Sequence, residues 1–233
     1  MDAKEWVKCA IQLSGLYDQF RLAQWMRVAR SGQLISDWNR ELSAIFIHVP
    51  KNAGMSIYRA LGMEVGPHGT HIPATVYQRV EPDLFQRSFK FAVIRNPWDR
   101  LVSAYHYLPG SPFPTDQRWS ARHLGKTPDF PNFMRALENP VFRARILTGL
   151  HFQPQSFSLC DAHGGLAVEH LIDFEHLARG VEEVGRRLGV AVDLPEINRS
   201  KHEDFRNYYD ARSTKVVEAI YGRDVALFER IAA

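Results

Sequence analysis

The chain has 233 residues, 45% of them hydrophobic and 24% charged, with a formal net charge of +3; this is ordinary globular composition, long enough for one sizeable core. Its 29 lysines and arginines are scattered along the chain, which argues against a nucleic-acid track and suits a small anionic ligand. Two cysteines, Cys9 and Cys160, exclude a disulfide framework, and no stretch reaches the roughly 18–20 consecutive apolar residues of a membrane helix, so a soluble cytoplasmic protein is expected.

Residues 1–40 read as a helical segment packed on the core, with Trp6, Leu13, Leu16, Phe20 and Leu22 as the expected buried positions. Lys8, Gln12, Asp18 and Arg21 interrupt it too often for a signal peptide. Residues 41–233 are expected to form one domain. "SAIFIHV" (43–49) and "FKFAVI" (89–94) are short, nearly continuous apolar runs of the kind found in strands covered on both faces. Between them the pattern predicts a helix over 55–61, a polar loop around "GPHGTHIP" and a helix over 75–85. Strand, crossover and strand in that order predict a right-handed βαβ unit, hence an α/β fold with a mainly parallel central sheet flanked by helices.

Pro97 is placed to open the next helix, with Leu101, Val102 and Tyr105 as its apolar stripe. The Pro-, Gly-, Ser- and Thr-rich stretch from 109 to 131 reads as a long loop and a candidate substrate lid. Short helices are expected over 133–137 and near Ala144. The stretch "HLIDFEHLARGVEEVGRRLGV" predicts a short strand feeding a helix that ends near Gly189. An amphipathic helix or helix pair closes the pattern over 214–231.

The stretch "FIHVPKNAGMSIYRAL" (46–61) sets a lone lysine on a strand-to-helix turn, where backbone N–H groups and the start of a helix favour an anion. It is not a Walker A loop, because Lys51 precedes Gly54 instead of following the second glycine. Arg95 falls just past the second strand, at the carboxyl edge where open α/β sheets bind ligands. Its fork suits phosphate oxygens, and Ser103, on the following helix, offers a hydroxyl. Neither His68 with His71 nor Cys160 with His163 supplies a metal-ligand set at recognised spacing.

"FIHVPKNAGMSI" together with "FKFAVIRNPWDRLVSAY" resembles the PAPS-dependent sulfotransferases, in particular the carbohydrate group related to heparan sulfate 2-O-sulfotransferases and their bacterial relatives. "HFQPQ" (151–155) is similar to that group's Pro-Gln element, and "LIDFEHL" with "INRSKHEDFRNYYD" to its late segment; the resemblance covers about residues 44–230. It implies a P-loop-like nucleotide-binding architecture. It further implies that Lys51, Asn52, Ala53, Gly54, Met55 and Ser56 hold the 5′-phosphosulfate of 3′-phosphoadenosine 5′-phosphosulfate (PAPS). Arg95 and Ser103 would then hold the 3′-phosphate, and Lys201 or Arg199 would close over the nucleotide.

Lys51 would stabilise the leaving phosphate, and His71, with His68 as the nearby alternative, would be the base that takes the acceptor's proton. His48, inside the first strand, reads as a core or supporting residue. The implied partner is a hydroxyl-bearing acceptor, a saccharide in the related enzymes, and not a nucleic acid. Relatives commonly carry threonine where this chain has Met55. Two alternatives therefore stay open: a catalytically impaired module that binds PAPS or its product PAP, and transfer to a small-molecule hydroxyl. A P-loop nucleotide kinase is disfavoured by the missing Walker lysine.

Overall fold

A computed structural model describes residues 3–29, 34–64, 71–194 and 203–232. In chain order, α1 (Ala3–Leu13), α2 (Tyr17–Ala29) and α3 (Asp37–Glu41) precede β1 (Ala44–Ile47). Next come α4 (Gly54–Ala60), α5 (Ala74–Val80), α6 (Pro82–Arg87) and β2 (Phe89–Ile94). The helices α7 (Pro97–Tyr107), α8 (Pro114–His123), α9 (Phe130–Leu137), α10 (Pro140–Leu147) and α11 (Gln155–Leu159) follow. β3 (His170–Asp173), α12 (Leu177–Leu188) and α13 (Ala211–Ala232) complete the set.

The α/β expectation holds: β1, β2 and β3 form a parallel sheet in that order, with Ile47 opposite Ala92 and Ile94 opposite Asp173. Every residue of β1 and β2 is buried, as the continuous apolar runs require. Ile45, Ile47 and Ala92 face one cluster with Ile72 and Val76, and Phe46, Phe91 and Val93 face another with Ile57 and Val181. Full burial of each such side chain stabilises by about 1.5–3 kcal/mol. The one charge in β2, Lys90, donates to the carbonyls of Phe85 and Ser88 and pairs with Glu169 at 2.6 Å.

By contacts the chain forms two units. One comprises residues 1–20, 96–154 and 199–226, the other 21–95, 155–198 and 227–233. The second holds the sheet. The first is helical, its core built on Leu101, Phe130, Phe133, Phe152 and Tyr221.

Three expectations need correction. The helix foreseen over 75–85 is two helices, because Glu81, ahead of Pro82, leaves the helical region at φ −131°, ψ 60°, as a residue before proline tends to do. Much of the foreseen loop from 109 to 131 is α8. It starts on Pro114, with Asp116 in its first turn and Arg122 and His123 in its last, charges that complement the helix dipole. Trp6, Leu13 and Leu16 are exposed by half or more. The packed face of α1 is mixed, Glu5, Lys8, Cys9, Ile11 and Gln12, with Cys9 buried and Glu5 paired with Arg122 at 3.0 Å and His123 at 3.2 Å.

Candidate functional site

The parallel register brings three loops to one sheet edge, those following Ile47, Ile94 and Asp173. The first turns through Lys51 at φ +70° and Ala53 at φ +56°, left-handed values that cost a non-glycine residue about 1–2 kcal/mol each. Such a turn makes a concave nest of N–H groups. The first hydrogen bond of α4 runs from Ser56 N to the Ala53 carbonyl at 2.9 Å, so the amides of Ala53, Gly54 and Met55 precede the helical ladder. Lys51 and Ser56 are half-buried, and the Met55 side chain is exposed.

Gly54 is needed for a different reason from backbone freedom, since its φ is not positive. A Cβ there would lie 1.8 Å from His48 Nε2. The His48 ring fills that space, is buried, and packs against Phe46 and Tyr58; burial raises the Tyr58 phenol to about 12. His71 lies against His48, ring centroids 4.2 Å apart, with Nδ1 3.3 Å from the His48 carbonyl oxygen. A carbonyl only accepts, so this contact puts the proton on Nδ1 and leaves the lone pair on Nε2. Thus His71 packs against His48 at a tilt, and His48 against Gly54 of the Lys51 turn.

Arg95 extends the second loop and is buried. Its Nη1 donates to the Lys51 carbonyl at 2.9 Å, and its guanidinium lies 4.1 Å from the centre of the Phe174 ring; Phe174 directly follows β3. Beneath this pair sits Gln155, fully buried. Its Oε1 accepts from Asn52 Nδ2 at 2.7 Å and from the Arg95 N–H at 3.1 Å, and its Nε2 donates to the Arg95 carbonyl at 2.8 Å. Asn52 Nδ2 also donates to the Val93 carbonyl at 2.7 Å. The Asn52 side chain therefore faces the protein frame.

The structure thus gathers Lys51 to Ser56, Arg95 and His71 in the sheet unit. Ser103 belongs to the helical unit, where it is buried on α7. His68, Lys201 and Arg199 lie outside the described residues. Gln155 and Phe174 were marked in the sequence only as parts of resembling motifs, and nothing local to either shows what it touches.

The helical unit has a cavity of its own, about 250 Å³, lined among others by Glu5, Asp116, Trp119, His123, Arg145 and His151. Burial holds His123 below the ordinary imidazole range, against the opposing pull of Glu5. Among the described residues no helix is long and apolar enough to cross a membrane, and no His, Cys, Asp and Glu side chains group as a metal site.

The sequence pattern of the sulfotransferase family matches residues 37–229. Comparisons with curated proteins and with solved structures find no match.

Proposed function

The chain belongs to the sulfotransferase family, and from that premise we propose that it moves a sulfuryl group from PAPS to a hydroxyl, that of a saccharide, with His71 as base. One observation carries the choice of donor: the Arg95 guanidinium donates to the backbone of Lys51, so two cationic elements of the kind that hold phosphate share one sheet edge. A ligand with phosphate at both ends of an adenosine would engage both elements. The residues fit in kind as well, with N–H groups and an ammonium on one side and a planar fork on the other.

When bound, the donor supplies an activated sulfuryl group on its 5′-phosphate. His71 Nε2 takes the hydroxyl proton as the acceptor oxygen bonds to sulfur. The bond from sulfur to the phosphate oxygen breaks, its electron pair leaves with the phosphate, and PAP departs. Lys51 meets the charge that develops there, so the protein's part is positioning and electrostatic stabilisation. The amides of Ala53, Gly54 and Met55 and the Ser56 hydroxyl hold the remaining oxygens.

Thermal unfolding tests the donor. PAP at a hundredfold over its Kd stabilises by about 2.7 kcal/mol, whereas ATP shifts the Tm far less; equal shifts, or none, would overturn the assignment. His71→Ala is expected to bind PAP normally and turn over poorly, and near-normal turnover would move the base elsewhere.

Met55 supports a second reading, a nucleotide-binding module with impaired transfer, because an exposed thioether stands where a hydroxyl is common in the resembling enzymes. A hydrogen bond to a charged group is worth about 1.5–3 kcal/mol. Tight PAP binding without transfer to a broad panel of hydroxyl acceptors, restored by Met55→Thr, would establish it.

A further inference from the structure

We propose that Gln155 is a positioning residue that sets both phosphate-holding elements at once, so that the two ends of the nucleotide site stand or fall together. This rests on the nucleotide reading above. The observation behind it is that one buried amide uses its acceptor and its donor on two different loops. Toward Arg95 it accepts from the backbone N–H and donates to the carbonyl, the exchange a neighbouring strand residue would make just past the end of β2. Toward the other loop it holds Asn52.

Asn52 is the residue between the two left-handed positions, Lys51 and Ala53. A strained turn persists only where its surroundings over-determine it. Asn52 Nδ2, fixed by the Val93 carbonyl and Gln155 Oε1, supplies that constraint from below, while Arg95 Nη1 holds the Lys51 carbonyl from the side. With Gln155 removed, the Arg95 backbone loses partners on both its N–H and its carbonyl, and Asn52 keeps the Val93 carbonyl but loses its bond to Gln155. Neither effect requires Gln155 to touch the ligand.

The signature is a loss at both ends. Lys51→Ala should weaken 5′-AMP and spare 3′-AMP, whereas Arg95→Leu, which also frees the Lys51 carbonyl, should weaken 3′-AMP the more. Gln155→Met should weaken both probes and weaken PAP at least tenfold. Calorimetric titration well below each variant's Tm keeps the comparison to folded protein. Tyr221→Phe, which removes another buried hydrogen bond, to the Phe152 carbonyl, controls for general destabilisation and should leave all three affinities within twofold.

Should Gln155→Met fail to fold, Asn52→Ala cuts the tie of Gln155 to the first loop and is expected to weaken PAP, with 5′-AMP weakened more than 3′-AMP. PAP affinity within twofold of the native protein, or a loss confined to one probe, would overturn the role of Gln155. Failure of the native protein to bind PAP would instead overturn the nucleotide reading itself, before any variant is compared.

Discussion

Two buried polar side chains, Arg100 and Gln155, each fix backbone by hydrogen bonds and act in different ways. In the helical unit, Arg100 donates from Nη1 to the His151 carbonyl at 3.2 Å and from Nη2 to the Gln153 carbonyl at 2.6 Å, and it faces the Tyr221 ring at 5.7 Å. In the sheet unit, Gln155 bonds to Asn52 and Arg95. A guanidinium only donates, so it gathers carbonyls and fastens a segment to a core. An amide both donates and accepts, so it can pair with the N–H and carbonyl of one residue while reaching a second loop. The comparison separates a side chain that holds the fold from one that holds the site.

Four experiments would break or sharpen that separation. The largest effect is expected at Lys51, which belongs to neither anchor: Lys51→Ala should lower kcat by about 10²–10³ while the melting curve stays put. A matching loss of Tm would mean that fold and site are not separable here. Next, Arg100→Leu forfeits two charge-assisted hydrogen bonds and should cost on the order of 3 kcal/mol. That is a Tm lower by about 6–12 °C for a chain this size, with PAP affinity kept in the folded protein; lost affinity would give Arg100 a share in the site.

Gly54→Ala sharpens the site side, since a Cβ at 54 displaces His48 and with it the support of His71. Turnover is expected to fall on the order of tenfold to a hundredfold, by more than PAP affinity does, read as a split between kcat and Kd. The smallest effect is on pH dependence. Burial holds His123 in one unit and His170 in the other below the ordinary imidazole value. Above about pH 6.5 both are neutral folded or unfolded and contribute nothing. As pH falls below that value the unfolded chain binds protons first, so stability declines. Melting curves at pH 7.5 and 5.5 should show the drop, and His123→Gln should lessen it.

The elements that rest on local chemistry were legible in the sequence. β2 begins and ends where its apolar run does, Pro97 opens α7, and Gly189 closes α12 at φ +68°. Composition misled where two signals compete. Proline and small residues around 109–131 suggested loop, yet Pro114 at a first helical position favours a helix. Trp6 and Leu13 suggested the buried face of α1, yet the face that packs is the one that carries Cys9 and the ion-paired Glu5. In the candidate site, Lys51 and Arg95 announced themselves by residue type and place after a strand. The role of Gln155 did not, because its partners lie 60 and 103 residues away, and no window of sequence contains both ends of such a bond.

The missing side chain at Gly54 has a practical corollary for redesign. The turn from Lys51 to Ser56 cannot be transplanted alone onto another sheet, because its shape is complete only when the imidazole of His48, just past β1, plugs the notch. A graft would have to carry His48 as well, and with it the carbonyl that sets the tautomer of His71. What looks like a portable loop is one half of an interlocking pair.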